Sequence, residues 1–187
     1  MRNSNRELWF ALLAVVLITL IYGFVSLQMR AIPPASGLFG HLIGVIGFVL
    51  MLMTEVLYSL RKRSRLARWG RMSEWLQFHI FTGIVGPYMV LLHTSWKFNG
   101  LAGASLALTL VIVFSGFIGR YIYTLVPRAL DGTELDTPSG DMQAKTLAAA
   151  RRSLAIWHAI HVPIGMALFT ASFIHILAAL YYATLLR

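Results

Sequence analysis

The chain contains no cysteine. That excludes disulfides, thiolate zinc sites, cysteine-ligated iron–sulfur clusters and covalently attached c-type haem, so any redox centre must use other ligands. Acidic residues are nearly as scarce, with seven Asp and Glu against 16 Lys and Arg and a net charge of +9. Charged residues make up only 12% of the chain, about half of what a soluble globular domain carries. Glycine-rich phosphate loops are also missing, and the longest connection, about 126–152, is too short for a nucleotide-binding fold.

Apolar residues fill the space, at 58% of the sequence. A helix needs about 20 mostly apolar residues to cross the hydrocarbon core of a bilayer. Five stretches qualify, at about 8–28, 38–60, 74–96, 101–125 and 153–185. The expected fold is an all-α integral membrane protein, a single domain over 1–187 built as a bundle of five transmembrane helices. The first run follows a basic start, "MRNSNRELWF", as a signal peptide would. It continues through Phe24 without an early small-residue cleavage site, which reads as a retained anchor.

The basic residues give a topology and remove the need for a nucleic-acid partner. Arg61, Lys62, Arg63, Arg65, Arg68 and Arg71 crowd the connection at about 61–73, which the positive-inside rule places in the cytoplasm. The N-terminus then lies inside with Arg2 and Arg6, the connection at 126–152 is also cytoplasmic, and the C-terminus is outside. All but Arg30, Lys97 and Arg187 of the 16 basic residues fall on the inner side. The expected location is a bacterial cytoplasmic (inner) membrane, in contact with lipid. Within 126–152, "ALDGTELDTPSGD" is turn-rich and holds four of the seven acidic residues. "MQAKTLAAARR" after it has helix-forming composition and begins the last helix early.

Six histidines remain, and four of them form a pattern. "WLQFHIFTGIVGPYMVLLH" at 75–93 and "WHAIHVPIGMALFTASFIH" at 157–175 share the skeleton W-x3-H-x3-G-x9-H. Fourteen residues at 100° each return to within about 40° of the same helical face after a rise of about 21 Å. His79 and His93 thus lie on one stripe at two depths, as do His161 and His175. With one span between them the two helices run in the same direction, which sets His79 level with His161 near the inner side and His93 level with His175 near the outer side. Two pairs of imidazoles in a dry helical bundle are what bis-histidine ligation of two stacked, non-covalent b-type haems needs, between the third and fifth helices. Gly83 and Gly165, each four residues after an inner histidine, would let a macrocycle approach the backbone. Pro87 and Pro163 interrupt the two ligand helices and predict a kink in each. Trp75 and Trp157 indicate only that the segments sit at similar depth.

The other polar residues carry weaker signals. His158 lies about 100° around the helix from His175, which makes it a poorer ligand than His161. His41 opens the second span near the outer surface. Each reads as a propionate partner, a proton-transfer group, a quinone contact or a plain interfacial histidine. Arg120 and Lys97 are placed to neutralise haem propionates at the two surfaces, or simply follow topology. Gly37, Gly40, Gly44 and Gly47 form a face for close helix packing, and Glu55 is expected to pair with the basic connection.

The paired H-x13-H helices separated by one span resemble the di-haem core of membrane cytochromes b. Such cores occur in cytochrome b of quinol-oxidising bc complexes and in the transmembrane domain of ferric reductases and NADPH oxidases. The resemblance covers about residues 38–185 and implies that His79, His93, His161 and His175 are axial ligands. A ferric reductase would add a flavin and nicotinamide domain, and a bc cytochrome further helices and quinone-site motifs; neither is found here. The expectation is an electron-transfer subunit of an oxidoreductase rather than a self-sufficient enzyme. It would work in an oligomer or hetero-complex with redox partner subunits on one or both membrane faces, exchanging electrons with a quinone, a cytochrome or a ferric acceptor. The alternative is a membrane protein that handles or transports haem.

Overall fold

The computed structural model describes residues 5–63, 70–126 and 141–185, without the side chains of 58, 62, 63, 141–143 and 183–185. These residues form α1 (Arg6–Met29), α2 (Leu38–Arg63), α3 (Met72–His93), α4 (Gly100–Thr124) and α5 (Asp141–Leu185), with no strand among them. All five helices are long and apolar enough to cross a membrane, as the hydrophobic runs indicate. The turn-rich acidic segment and much of the basic connection, at 127–140 and 64–69, lie outside the described residues.

Two ends differ from the apolar runs. α3 stops at His93 rather than 96, because Ser95 and Trp96 take left-handed φ values of 50° and 63°. The turn is tied down by Ser95 Oγ, which donates to the Pro33 carbonyl at 2.6 Å. α5 begins at Asp141 rather than 153, as the composition of "MQAKTLAAARR" indicates. Its first turns bury Leu147 and Ala150 together with Val126, just beyond α4. The 126–152 connection is thus partly helix. Pro87 and Pro163 both lie inside continuous helices.

The described residues divide into two compact units, α1–α3 and α4–α5. In the first, α2 runs along α3 and α1 also packs on α3, around a core of Ala11, Ile43, Val85, Met89 and Leu92. The α2–α3 seam closes on a pair of facing glycines. A Cβ at Gly86 would lie 2.9 Å from the Gly47 carbonyl oxygen, and one at Gly47 would lie 2.9 Å from that of Gly86. The two backbones therefore touch, an arrangement membrane helices use because lipid supplies no hydrophobic drive for helix association. Gly37 and Gly40 pack instead against the Pro34–Ala35 turn. α1 leaves large apolar side chains such as Leu13, Leu20 and Phe24 exposed and buries only Glu7 and Ala11, a surface suited to lipid.

The seam supports a stability prediction. Gly86→Leu should force α2 off α3, with an overpacking cost of about 1–3 kcal/mol or more. Gly23→Leu, at a position where a Cβ would meet nothing within 4 Å, should be tolerated. Thermal unfolding in detergent should show a clear drop in midpoint for the first variant only.

Candidate functional site

In the α1–α3 unit both sequence-predicted ligand histidines of α3 turn toward α2. His79 Nδ1 lies 3.0 Å from the Thr54 carbonyl oxygen, and His93 Nδ1 lies 2.9 Å from that of Gly40. A carbonyl oxygen only accepts, so each Nδ1 carries the proton. In a neutral imidazole the lone pair is then on Nε2. The anchors repeat the spacing of the histidines: Gly40 and Thr54 are 14 residues apart on α2, antiparallel to His93 and His79 on α3, with Gly47 and Gly86 meeting midway. α2 is a rack with two pegs.

Local sequence explains both pegs. At the upper one, a Cβ on Gly44 would lie 2.7 Å from Cγ and Nδ1 of His93. The absence of that side chain lets the ring reach the carbonyl of Gly40, one turn earlier. At the lower one, Thr54 Oγ1 lies 2.6 Å from Thr82 Oγ1, and the fully buried Thr82 hydroxyl donates to the Phe78 carbonyl at 2.9 Å. This links the two helices next to His79.

In the α4–α5 unit the anchor is a side chain. His161 Nδ1 lies 2.9 Å from Ser115 Oγ. The Trp157 ring packs on the imidazole with centroids 4.6 Å apart and planes tilted by 32°. Trp157 Nε1–H donates to the Ser115 carbonyl at 2.7 Å and lies 3.1 Å from Ser115 Oγ. His175 is half-buried on the same helix, two heptads beyond His161 and one beyond the buried Leu168.

The remaining candidates separate by position. His158 is exposed, with its ring edge-on to Trp157 at 6.2 Å. His41 is exposed, its Nδ1 3.2 Å from the Gly37 carbonyl and its ring 6.3 Å from that of His93. Lys97 is exposed and Arg120 half-buried. Glu55 has the Ser59 hydroxyl at 3.4 Å, while Arg61 donates to the Gly70 carbonyl. Among the described residues, the expected partnership of Glu55 with the basic connection is therefore not made through Arg61.

Gly83 and Gly165 differ from the seam glycines. A Cβ at Gly83 would meet only Thr54 Cγ2, at 3.6 Å, and one at Gly165 only Ile112 Cδ1, at 3.9 Å. Both are ordinary contact distances, so close helix approach does not account for either glycine.

Sequence reasoning missed Gly40, Thr54 and Ser115 as anchors and treated Trp75 and Trp157 as equivalent. Trp75 packs edge-on to Phe78, whereas Trp157 holds both Ser115 and His161. The carbonyls of Gly40 and Thr54 carry no signal of their own in the sequence, since every residue has one. For Ser115, 46 residues from its partner, there was none. No set of three or more His, Asp or Glu side chains among the described residues could hold a bare metal ion. Protein-family models, curated proteins and solved structures contain no match to this chain.

Proposed function

We propose that the chain is a di-haem b-type membrane cytochrome that carries electrons across the bilayer as a subunit of a larger redox complex. His79 and His161 would ligate an inner haem iron and His93 and His175 an outer one, with Gly83 and Gly165 leaving room for the macrocycles. The observation that carries this reading is the doubled 14-residue histidine spacing, with both α3 imidazoles anchored through Nδ1–H to carbonyls spaced by the same interval. Metal-binding histidines are usually held in this way, because a hydrogen bond from one ring nitrogen fixes the tautomer and raises the basicity of the other.

The fit with haem rests on the donor set. Porphyrin brings four nitrogens to iron, so a pair of imidazoles completes the coordination and no cluster of three protein ligands is needed. Bound haem supplies one-electron iron chemistry at a potential set by its axial ligands and surroundings. The chain's part is to orient imidazoles through α2 and α4, to exclude water with apolar helices, and to offer Arg120 and Lys97 as cations for propionates. His41 and His158, both exposed, would be available for contacts with propionate, proton or quinone.

The purified protein should be red, hold two haems per chain and show a low-spin b-type spectrum that does not respond to carbon monoxide, with both axial positions filled. A redox titration should show two one-electron steps. A colourless protein, or a high-spin spectrum that binds carbon monoxide readily, would overturn the reading, and a single labile haem would point to haem handling instead.

A further inference from the structure

Trp157 and Ser115 do more than mark depth. His79 and His93 both donate from Nδ1 to backbone carbonyls, acceptors that no side-chain substitution removes. His161 Nδ1 rests instead on a hydroxyl, and that hydroxyl is shared: the Trp157 indole N–H lies 3.1 Å from Ser115 Oγ and 2.7 Å from Ser115 O. Indole nitrogen only donates, so the Ser115 oxygen receives from Trp157 while facing the imidazole.

The packing that holds this arrangement is specific. A Cβ on the buried Gly119 would run into the six-membered ring of Trp157, so the absence of a side chain there lets the indole lie against α4, one turn after Ser115. From that position the same ring stacks on His161 at 4.6 Å. In the matching sequence segment of α3, Trp75 packs edge-on to Phe78 and His79 takes a carbonyl of α2.

Resting on the bis-histidine reading, we infer that Ser115 and Trp157 are positioning residues that set the electron-donating power of His161. With Nε2 given to iron in that reading, Nδ1 carries the proton and donates to Ser115 Oγ, and Trp157 Nε1–H, 3.1 Å from the same oxygen, competes for it. A stronger Nδ1–H···O bond makes the ring a better donor to a metal at Nε2 and favours the oxidised form; a weaker bond does the opposite. The two variants should therefore act in opposite directions. Ser115→Ala removes the acceptor and should raise the inner-haem potential. Trp157→Phe keeps a ring over His161 but removes the competing N–H, leaving the Ser115 oxygen to the imidazole, and should lower it. A tenfold change in a one-electron equilibrium is 59 mV, and roughly that size is expected for Ser115→Ala. Ser115→Thr, which keeps a hydroxyl, should restore the original value.

The experiment is an optical redox titration of the purified full chain, with electron paramagnetic resonance of both low-spin ferric signals. Opposite shifts of one haem, an unmoved second haem and rescue by Thr would support the inference. Shifts of the same sign, equal movement of both haems, or a Thr variant that behaves like Ala would overturn it while leaving the di-haem reading intact. If Ser115→Ala loses its inner haem, the sign of the Trp157→Phe shift decides alone. A wild-type protein without haem would instead overturn the reading on which the inference rests.

Discussion

Alanine at His93 or His175 should abolish one low-spin haem signal and leave most of the other, so that haem per chain falls by about half; alanine at His79 or His161 should remove the complementary signal. The asymmetry follows from the pairing of the 14-residue stripes. In the proposed reading each iron would take one imidazole from α3 and one from α5, and loss of either would leave a haem with a single protein ligand. His158→Ala and His41→Ala should keep both haems, since both residues are exposed and His161, not His158, has its Nδ1 held by Ser115. Haem extraction assays paired with paramagnetic resonance of each variant would check this. Should His158→Ala empty the inner site while His161→Ala leaves it filled, the register assigned to α5 would be wrong, together with the matching of the two W-x3-H-x3-G-x9-H segments.

The sequence displays its helices because transmembrane spans are specified by length and apolarity, and 20-residue runs are hard to miss. Its ends are less legible. α3 stops at His93 because Ser95 and Trp96 turn left-handed, and the Ser95 hydroxyl reaches back to Pro33, a contact across 62 residues. α5 runs back to Asp141, a start that the composition of "MQAKTLAAARR" indicates and hydropathy does not, and its early turns pack Leu147 and Ala150 with Val126. The histidine stripes are legible because they obey helical periodicity. Their anchors are not, since a carbonyl is common to every residue, and which one an imidazole reaches depends on helix register. Glycines gave a partial view. Of the Gly37–Gly47 face expected to serve close helix packing, Gly47 alone meets a facing helix backbone, while Gly37 and Gly40 meet the Pro34–Ala35 turn and Gly44 an imidazole, a separation that geometry shows and sequence does not.

This distinction makes Gly44 the most informative position outside the histidines. A single methyl group there would sit 2.7 Å from two atoms of the His93 ring and 3.0 Å from a third, closer than a Cβ approaches any neighbour, so the ring must move. A shift of the imidazole away from α2 relieves the clash and breaks its 2.9 Å bond to the Gly40 carbonyl. Losing a hydrogen bond that orients a metal-binding histidine typically lowers affinity by about 10–100-fold. Gly44→Ala should therefore lose the outer haem on dilution or chelator challenge while retaining the inner one, although alanine is the better helix former by about 1 kcal/mol. Gly47→Ala is the necessary comparison. It sits one turn further along α2, where its Cβ would strike the Gly86 carbonyl and Met89, so it strains the helix seam without touching a histidine. It should lower the thermal midpoint and favour neither haem. If the two alanines deplete the outer haem equally, helix separation explains the loss, and Gly44 has no special role in seating His93. If only Gly44→Ala does so, α2, which supplies no ligand of its own, is what holds the α3 imidazole at the outer site.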